Sequence, residues 1–375
     1  MNIAVNTRVL LKNRLEGIGW FTFECMKRIA QWHPEHKFYF IFDRPYDPEF
    51  VFSDNIEPIV IGPQARHPLL FYYWFEKSVP KVLDQINADA FISPDGYLSL
   101  NANIKSLAVI HDINFMHNPK DFPFGIRNYY QYFFPKFAKK AKKIVTVSNF
   151  SKNDISKQFD IDADNIDVVY NGSKEIYKPS TKEEIINTKK KYTSNCDYFL
   201  FVGALSPRKN IANLLSAFEI FKKRSQTNFK LIIVGEKMFK TKNINDAFLK
   251  MQFKEDVVFT GRKNPEELNK IYGAAYALTF VPYFEGFGIP IIEAMNCETA
   301  VITSNVTSMP EVSGDAALLV DHFSIYSIAN ALMKIYSEPK LRLELIEKGK
   351  KQCQKFSWDK TAIKLWVSIE KILHD

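Results

Sequence analysis

Cysteine is scarce in this chain, and its cysteines lie far apart in the sequence. Four occur among the 375 residues: Cys25, Cys196, Cys297 and Cys353. None belongs to a Cys-x-x-Cys pair or to a Cys/His group with the spacing of metal ligands. A zinc site and a disulfide framework are therefore not expected, and a reducing cytoplasm is the expected location.

Long apolar runs and low-complexity tracts are also missing. No run approaches the ~18 apolar residues that a membrane-spanning helix requires, so we expect any contact with a bilayer to be peripheral. Residues 1–6 lead directly into a predicted strand without a basic start and a long apolar stretch, and we expect no signal peptide. With 46% hydrophobic residues and no Gly/Ser-rich or Pro-rich tract, the composition is that of a folded globular protein.

Positive charge exceeds negative charge only slightly. Fifty Lys and Arg residues against 42 Asp and Glu residues give a net charge of +8, which suits nucleic acid, anionic lipid or a phosphorylated substrate equally well. The most concentrated basic run, residues 136–143, follows the aromatic stretch 129–134. This combination is typical of a helix lying on an anionic membrane surface, and equally of a solvated helix end before a strand.

Short apolar, β-branched runs alternate with helical patterns along the whole chain, which indicates parallel sheets covered by helices on both faces. One series of strands occupies residues 3–169 and a second occupies residues 198–320, with a turn-rich linker between them. A chain of 375 residues also suits two domains better than one. We predict domains at residues 1–175 and 176–357 and a C-terminal helix at 358–375. Packing of this helix on the first domain is one arrangement that the sequence allows.

Ligands of open α/β sheets bind at the carboxyl ends of the strands, so polar residues that follow strands are the first candidates. The first strand of the second series is followed by Gly-Ala-Leu-Ser-Pro-Arg-Lys-Asn at residues 203–210. Its Arg208 and Lys209 place two cations where a helix begins, beside free backbone N–H groups. That arrangement suits a diphosphate, and a solvated helix start is the alternative interpretation.

A second loop, residues 285–293, reads Glu-Gly-Phe-Gly-Ile-Pro-Ile-Ile-Glu. Gly286 and Gly288 allow backbone amides to approach a ligand. Glu285 then lies in the loop, and Glu293 lies about two turns along the helix that follows. One carboxylate can accept hydrogen bonds from sugar hydroxyls and the other can hold a ribose, while the positive end of the helix faces phosphate.

The first series of strands offers two weaker candidates. One strand ends in His111 and Asp112, and histidine titrates near neutral pH, so His111 either contacts substrate or is structural. Gly17 and Gly19 follow the first strand and precede a helix, a position from which backbone N–H groups can reach a phosphate or a sugar.

Together these segments resemble family 4 of the glycosyltransferases, the mannosyltransferase-like group 1 enzymes whose fold is called GT-B. The resemblance covers essentially the whole chain and includes Val-Ser-Asn-Phe-Ser at 147–151 and Gly-Asp-Ala-Ala-Leu-Leu-Val at 314–320. Its most specific part is the pair of Glu residues that encloses Gly-Phe-Gly-x-Pro, with Arg-Lys upstream. The resemblance implies an α/β protein of two Rossmann-like, doubly wound parallel-sheet domains that face a central cleft.

The resemblance also implies a role for each candidate residue. Arg208 and Lys209 neutralise the donor diphosphate and support its departure, and Glu285 lies near the transferred sugar. Glu293 binds the donor ribose, and His111 contacts a hydroxyl of the donor sugar. The remaining donor-binding positions are Gly17, Gly19, Arg262, Gly286, Phe287 and Gly288. The family's commoner N-terminal pattern is Gly-Gly-x-x, from which Gly17-Ile18-Gly19 departs.

Members of this family retain the anomeric configuration and generally work without a metal. The sequence agrees in having no clear Asp-x-Asp triplet after a strand, the group that holds a divalent cation in the other main glycosyltransferase fold. Cationic side chains and a helix end can stabilise the leaving diphosphate instead. A phosphate oxygen of the leaving group would help to deprotonate the incoming hydroxyl on the same face, so no protein nucleophile is needed. We expect no metal and no other cofactor.

The expected reaction transfers mannose from GDP-mannose to a glycan or lipid-linked saccharide in cell-surface polysaccharide or O-antigen synthesis. The first domain would receive the acceptor, and its basic, aromatic-rich helix around residues 125–143 would suit a lipid-linked sugar. We expect a cytoplasmic protein, with the inner face of the cytoplasmic membrane as a peripheral site, and no nucleic-acid partner.

Three alternatives stay open at this point. The donor could be a UDP-sugar. A nucleotide-sugar epimerase of the same fold would release a changed sugar without an acceptor, and would need further acidic and histidine groups around the sugar. A non-catalytic protein that binds a nucleotide sugar or an anionic polymer is favoured only by the net charge.

Overall fold

The structure, a computed structural model, describes residues 1–236 and 241–374. It divides into two compact units. The first contains Met1–Gly172 together with the C-terminal segment that begins at Trp358, and the second contains Ser173–Ser357. The chain therefore leaves the first unit once and returns to it for its last helix.

The first unit is built on a seven-stranded sheet in which every neighbouring pair of strands is parallel. Its strands are β1 Asn2–Asn6, β2 Lys37–Phe42, β3 Ile56–Val60, β4 Ala90–Ser93, β5 Lys105–Val109, β6 Lys143–Thr146 and β7 Ile166–Val168. Their order across the sheet is β3-β2-β1-β4-β5-β6-β7. The reversal of direction between β1 and β4 is that of a doubly wound Rossmann sheet, whose ligands bind where the order reverses.

Helices cover both faces of this sheet. They are α1 Gly17–Trp32, α2 Pro68–Tyr73, α3 Val79–Gln85, α4 Asn114–His117, α5 Phe124–Lys140, α6 Asn149–Phe159 and α15 Trp358–His374. The residues that α1 buries include Phe21, Cys25, Met26 and Ile29, which recur at helical spacing along one face. A π-helical segment, Trp74–Ser78, joins α2 to α3.

Helix α15 belongs to the first unit although it is last in the sequence. It packs on α1, β5 and β6. Thr361 donates to the Tyr170 carbonyl at 2.7 Å, and Ser368 donates to the carboxylate of Asp167 at 2.8 Å. These contacts hold the helix in the first unit, although the residues that precede it belong to the second.

The second unit contains a six-stranded sheet, also parallel throughout. Its strands are β8 Tyr198–Val202, β9 Lys230–Val234, β10 Val257–Gly261, β11 Ala277–Phe280, β12 Ala300–Ser304 and β13 Ala317–Val320. The order is β10-β9-β8-β11-β12-β13, so the direction reverses between β8 and β11. All residues of β8, β11 and β12 are buried, as expected of strands covered on both faces.

The helices of this unit are α7 Lys182–Thr193, α8 Ile211–Ser225, α9 Lys242–Leu249, α10 Pro265–Ala274, α11 Ile289–Asn296, α12 Met309–Ser313, α13 Ile325–Ser337 and α14 Pro339–Cys353. The start of α7 is a capping box, in which the Thr181 side chain accepts from the Glu184 backbone and the Glu184 side chain accepts from the Thr181 backbone.

The predicted α/β class with two doubly wound parallel sheets is confirmed. The sequence did not indicate α7, because this helix buries only Thr188 and Thr193 and so lacks an apolar stripe. The apolar pattern of residues 71–86 indicates a single helix, whereas the structure has α2, the π-helical segment and α3 there. Among residues 1–236 and 241–374, no helix is long and apolar enough to cross a membrane.

Candidate functional site

The carboxyl edge of the second sheet carries the two predicted cations. A turn of 3-10 helix, Pro207–Lys209, follows β8, and Asn210 then turns into α8 with a φ of 60°. The Asn210 side chain donates to the carbonyls of Val281 at 3.1 Å and His322 at 2.8 Å. The turn is thereby tied to the segments that follow β11 and β13.

Glu285 contacts both cations. Its carboxylate accepts a hydrogen bond from Arg208 and forms an ion pair with Lys209, and only 7% of the residue is exposed. Burial alone would raise the pKa of Glu285, but the charges of Arg208 and Lys209 lower it, and the resulting pKa lies below the ordinary value. Glu285 is therefore a carboxylate at neutral pH, and the three side chains together carry one positive charge.

The loop that carries Glu285 is held by hydrogen bonds from neighbouring segments. The Tyr283 N–H donates to the Arg208 carbonyl at 3.0 Å. Ser304, at the end of β12, donates to the Pro282 carbonyl at 2.6 Å. Ser308 donates to the carbonyls of Glu285 at 2.9 Å and Phe287 at 3.1 Å. The sequence analysis missed both serines, although Ser304 ends a strand and Ser308 lies in the segment that follows it, which was a usable signal.

Gly288 closes the loop and caps α11. Its φ of 98° lies in the left-handed region, and an added Cβ would lie 2.7 Å from the Met309 Cε. Both facts explain why this position needs glycine. Gly286 and Phe287 precede it, and the Phe287 ring meets the Phe356 ring edge-on with centroids 5.5 Å apart. The backbone N–H groups of this segment thus stand at the start of a helix.

Glu293 lies on α11 and belongs to a different set of contacts from Glu285. The Tyr272 hydroxyl donates to Glu293 Oε2 at 2.8 Å, and the Tyr177 hydroxyl also hydrogen-bonds to this carboxyl. Burial raises the pKa of Glu293 to about 7, although both tyrosines and Lys174 act in the opposite direction. The sequence analysis did not identify the two tyrosines, because they come from distant segments that carry no motif.

Arg262 directly follows β10 and is exposed. Its neighbour Lys263 lies 5.5 Å from the centre of the Tyr192 ring. The structure thus places Arg262 at the same sheet edge as Arg208, since the carboxyl ends of parallel strands meet there.

In the first unit, His111 follows β5 and is partly buried. Its Nε2 lies 2.9 Å from the Pro94 carbonyl oxygen, and its ring meets the Phe21 ring edge-on at 5.0 Å. Burial lowers the pKa of His111, against the raising effects of the Pro94 carbonyl, Asp112 and Asp95. The imidazole is therefore neutral at neutral pH and offers one nitrogen as an acceptor.

Gly17 and Gly19 lie in the first turn of α1. No atom lies within 4 Å of a Cβ added to Gly17, whereas a Cβ on Gly19 would lie 3.1 Å from the Val9 carbonyl oxygen and from Leu15 Cδ2. Gly19 therefore permits close packing of the loop that precedes the helix, and Gly17 stands in open space. Both positions are at the amino end of a helix, where backbone N–H groups lack helical partners.

In the part of the chain that the structure describes, no group of three or more His, Cys, Asp or Glu side chains could hold a metal ion.

Comparison with known families gives two matches that together span most of the chain. Residues 16–173 match the family described as "Glycosyltransferase Family 4", and residues 182–352 match the one described as "Glycosyl transferases group 1". The second range contains Arg208, Lys209, Glu285 and Glu293, and the first contains His111.

Curated relatives include two bacterial proteins named for O-antigen synthesis. The chain is 29% identical to "O-antigen chain mannosyltransferase B" of Escherichia coli over 68% of this chain and 67% of the relative. It is 30% identical to "O-antigen chain mannosyltransferase RfbU" of Salmonella typhimurium over 61% of this chain and 60% of the relative. The alignment thus covers about two thirds of the first relative's length and less than two thirds of the second's.

Solved structures share the fold over nearly the whole chain. A glycosyltransferase from Rickettsia africae superposes with a TM-score of 0.76 at 19% identity, covering 99% of this chain and 98% of the other. WaaG, a glycosyltransferase involved in lipopolysaccharide biosynthesis, gives a TM-score of 0.75 at 16% identity and covers 98% of both chains. Anabaena HepE in complex with UDP and glucose gives 0.76 at 16% identity, covering 98% of this chain and 99% of the other. Likeness at this identity shows the fold alone, and that fold is the predicted GT-B fold.

Proposed function

Because the chain belongs to the family 4, group 1 glycosyltransferases, we propose that it transfers a sugar from a nucleotide diphosphate donor to a hydroxyl of a glycan or lipid-linked acceptor, with retention of configuration. The observation that carries this proposal is the buried cluster of Arg208, Lys209 and Glu285 at the carboxyl edge of the second sheet. Two cations and one carboxylate leave a net positive charge where the fold binds ligands.

Arg208 and Lys209 are proposed to bind the donor diphosphate and to stabilise it as it leaves. Glu285 holds both cations in position before the donor arrives, so little reorganisation is needed when negative charge develops on the leaving group. The N–H groups of residues 286–288, at the start of α11, would add hydrogen bonds to the phosphates. Because these groups supply the positive charge, no metal or other cofactor is required in this proposal.

Retention follows if the leaving phosphate accepts the proton of the incoming hydroxyl. The bond from the anomeric carbon to the phosphate oxygen breaks first, giving a short-lived oxocarbenium-like species. The acceptor oxygen then attacks from the same face, and its proton passes to the phosphate oxygen. Glu285 would lie near the transferred sugar in this scheme, and its carboxylate is not needed as a nucleophile.

Glu293 is proposed to hold the donor ribose, and Arg262 to lie near the nucleobase. The tyrosine hydroxyls that reach Glu293 keep its carboxyl in one orientation, which would favour a two-point contact with ribose hydroxyls. From the first unit, His111 would accept a hydrogen bond from a hydroxyl of the donor sugar, and Gly17 and Gly19 would present backbone N–H groups.

The favoured donor is GDP-mannose, and the favoured pathway is cell-surface polysaccharide or O-antigen synthesis. The support is that two relatives, at 29% and 30% identity, are named O-antigen mannosyltransferases. A UDP-sugar is the alternative donor, since the structural neighbour HepE was solved with UDP and glucose. The epimerase and the non-catalytic binding protein have no such support.

The test is a metal-free binding screen of GDP-, UDP-, ADP- and dTDP-sugars, followed by slow hydrolysis of the donor that binds best. We expect selective binding of one nucleotide, and hydrolysis that is lost in Arg208→Ala and Glu285→Gln. Absence of binding to all four donors, both with EDTA and with added Mg²⁺, would overturn the transferase proposal.

We also propose a cytoplasmic location with peripheral binding to an anionic membrane through α2 and α5. The exposed apolar residues of these two helices are Leu69, Tyr72, Tyr73, Phe124 and Tyr132, four of which are aromatic. Of these, Leu69 is 76% and Phe124 is 71% exposed. Lys136 stands over the Tyr132 ring at 3.4 Å, and Lys139 and Lys140 end the same helix. Apolar and cationic side chains side by side are typical of helices that bind membrane surfaces.

Co-sedimentation with phosphatidylglycerol vesicles tests this location. Binding should fall in Phe124→Ser and in the double variant Lys139→Glu, Lys140→Glu. Phe323→Ser is the matched control, because Phe323 is 77% exposed in the second unit. Equal binding by all these variants would contradict the proposed membrane face and favour a solvated helix end.

A further inference from the structure

The hydrogen bond of His111 determines which of its ring nitrogens carries the proton. Its Nε2 lies 2.9 Å from the Pro94 carbonyl oxygen. A carbonyl oxygen only accepts hydrogen bonds, so the proton must lie on Nε2 when this bond is made. In the neutral ring, Nδ1 is then an acceptor. The position of the Pro94 carbonyl therefore decides what His111 can offer to a ligand.

Pro94 belongs to the segment 93–97 that follows β4, and Asp95 ties this segment to β1. The Asp95 carboxylate accepts hydrogen bonds from Asn6 Nδ2 at 2.7 Å, from Arg8 Nε at 2.8 Å and from Ser93 Oγ at 3.1 Å. Its side chain is 3% exposed. A carboxylate so deeply buried is stable only with such partners.

Arg8 is itself held by aromatic rings. Its guanidinium carbon lies 4.2 Å from the ring centroid of Tyr97, 5.1 Å from that of Phe71 and 5.5 Å from that of Phe75. Cation–π contacts of this kind restrict a guanidinium that already donates to a carboxylate. The pair of Arg8 and Asp95 therefore has little freedom to move.

Gly96 places the same segment against the end of β5. Its φ is +82°, and an added Cβ would lie 3.2 Å from both the Val109 carbonyl oxygen and Phe134 Cε1. Val109 is the last residue of β5, two positions before His111. Residues 93–97, which include Pro94, are thus packed between β1 and β5, the strand that His111 follows.

From these contacts we infer that Asp95, held by Asn6 and Arg8, is a positioning residue that fixes His111 in its Nε2-protonated form through the Pro94 carbonyl. Nδ1 is left as an acceptor for a hydroxyl of the ligand. The lowered pKa of His111, caused mainly by burial, keeps the ring neutral and supports this assignment. The inference rests on the proposed function only for the identity of that hydroxyl, which would belong to the donor sugar.

The test is ¹⁵N NMR of the substrate-free protein labelled at histidine, because protonated and unprotonated ring nitrogens resonate far apart. His111→Gln identifies the His111 signals among the seven histidines. We expect the wild type to show a protonated Nε2 and a bare Nδ1. In Asp95→Asn we expect both signals to move toward each other as the two neutral forms mix. A protonated Nδ1 in the wild type, or unchanged signals in Asp95→Asn, would overturn the inference.

Asp43→Asn is the matched control. Asp43 is another buried aspartate of the first unit with an arginine partner, since it accepts from Arg44 Nε at 2.6 Å and from the Ala65 N–H at 2.9 Å. It follows β2, which β1 and β4 separate from β5 in the sheet, so its replacement should lower stability without moving the His111 signals. If Asp95→Asn does not fold, Arg8→Lys removes the Nε donor while keeping the charge, and the same mixing of forms is expected.

Donor hydrolysis separates this inference from the proposed function. Asp95→Asn should lower the rate of hydrolysis by roughly tenfold or more, through the loss of one oriented hydrogen bond, while donor binding by the second unit stays intact. A wild type that shows the fixed tautomer but hydrolyses no donor would overturn the proposed function and leave the tautomer assignment standing. A mixture of tautomers in a wild type that hydrolyses donor would overturn the tautomer assignment and leave the proposed function standing.

Discussion

Glu285 and Glu293 stand at the two ends of one short motif, yet their surroundings shift their pKa values in opposite directions. Two adjacent cations lower the pKa of Glu285. At Glu293, burial outweighs the lowering effects of Tyr272, Lys174 and Tyr177 and raises the pKa to about 7. Glu285 is therefore charged at neutral pH and pairs with the cations, whereas the carboxyl of Glu293 titrates close to neutral pH.

This difference predicts opposite effects of pH on stability. A raised pKa stabilises the folded protein at low pH, and this contribution is lost as pH rises from about 4.5 to about 7. Glu293→Gln keeps the neutral form at every pH. Relative to the wild type, it should therefore gain roughly 2 to 4 kcal/mol in free energy of unfolding between pH 4.5 and 8, as measured by urea denaturation.

Glu285→Gln provides the opposite control. The lowered pKa of Glu285 stabilises the folded protein above the ordinary glutamate pKa, and this contribution is lost as pH falls through the folded value. Glu285→Gln should therefore be most destabilising at pH 7 and less so in acid. The assignment of the two carboxyls would be wrong if both variants changed stability with pH in the same direction.

Lys209 allows a second prediction at the scale of a residue. Its side chain is only 10% exposed, and its ammonium group lies beside Glu285 and 4.8 Å from the centre of the Phe280 ring, where a charge acts more strongly than in water. Lys209→Ala should lower donor hydrolysis roughly 100- to 1000-fold with a smaller loss of donor affinity, as measured by single-turnover kinetics and calorimetry. Lys189→Ala, which removes a surface pair with Asp197, should change neither.

At the scale of elements, the loops proposed to bind the donor are held by glycines and by side chains from neighbouring segments. Gly235 shows how closely the strand ends approach, because a Cβ there would lie 1.9 Å from the Gly203 carbonyl oxygen. Ser304 and Ser308 hold the segment before α11 through its carbonyls. These contacts fix the loops against the second sheet, which suits a site that must place charges accurately.

Two glycines at the starts of helices should respond differently to alanine. Gly288 has a φ of 98° and no space for a Cβ, so Gly288→Ala should cost about 1 to 3 kcal/mol and weaken donor binding. Gly17 lies in a helix and has no atom within 4 Å of an added Cβ, so Gly17→Ala should be neutral or slightly stabilising. Thermal unfolding measures both, and an equal loss in the two variants would contradict this distinction.

At the scale of the whole molecule, the chain places its last helix in its first unit. Leu365 and Ile369 on α15 are fully buried, and Arg28 of α1 donates to Asp359 at 2.6 Å. The stability of the first unit therefore depends on residues at the far end of the sequence. The core of this unit is therefore complete only when α15 is in place.

Leu365→Ala should destabilise the protein by about 2 to 5 kcal/mol, and the effect should appear in the first unit. Hydrogen exchange should become faster at the amides of β5 and β6, which α15 covers, and stay unchanged in β8 and β11. Ile363→Ala is the control on the same helix, because Ile363 is 54% exposed and its loss should change stability by less than about 0.5 kcal/mol. Faster exchange throughout both units would show that the effect is not local.

The sequence by itself determined the α/β class, the two series of strands and the edge at which we propose that ligands bind. Each of these depends on local patterns: alternation of apolar runs and helices, and polar residues directly after strands. It also placed Arg208, Lys209 and Glu285 at that edge, and the structure brings these three into contact.

Only the tertiary structure decided the protonation and hydrogen bonding of Glu293 and His111. Tyr177 and Tyr272 reach Glu293, and the Pro94 carbonyl reaches His111, across separations in sequence that no motif records. Protonation depends on burial and on nearby charges, which exist only after distant segments have packed together. For the same reason a local pattern identified α15 as a helix, while its place against α1 was set by the apolar surface left uncovered in the first unit.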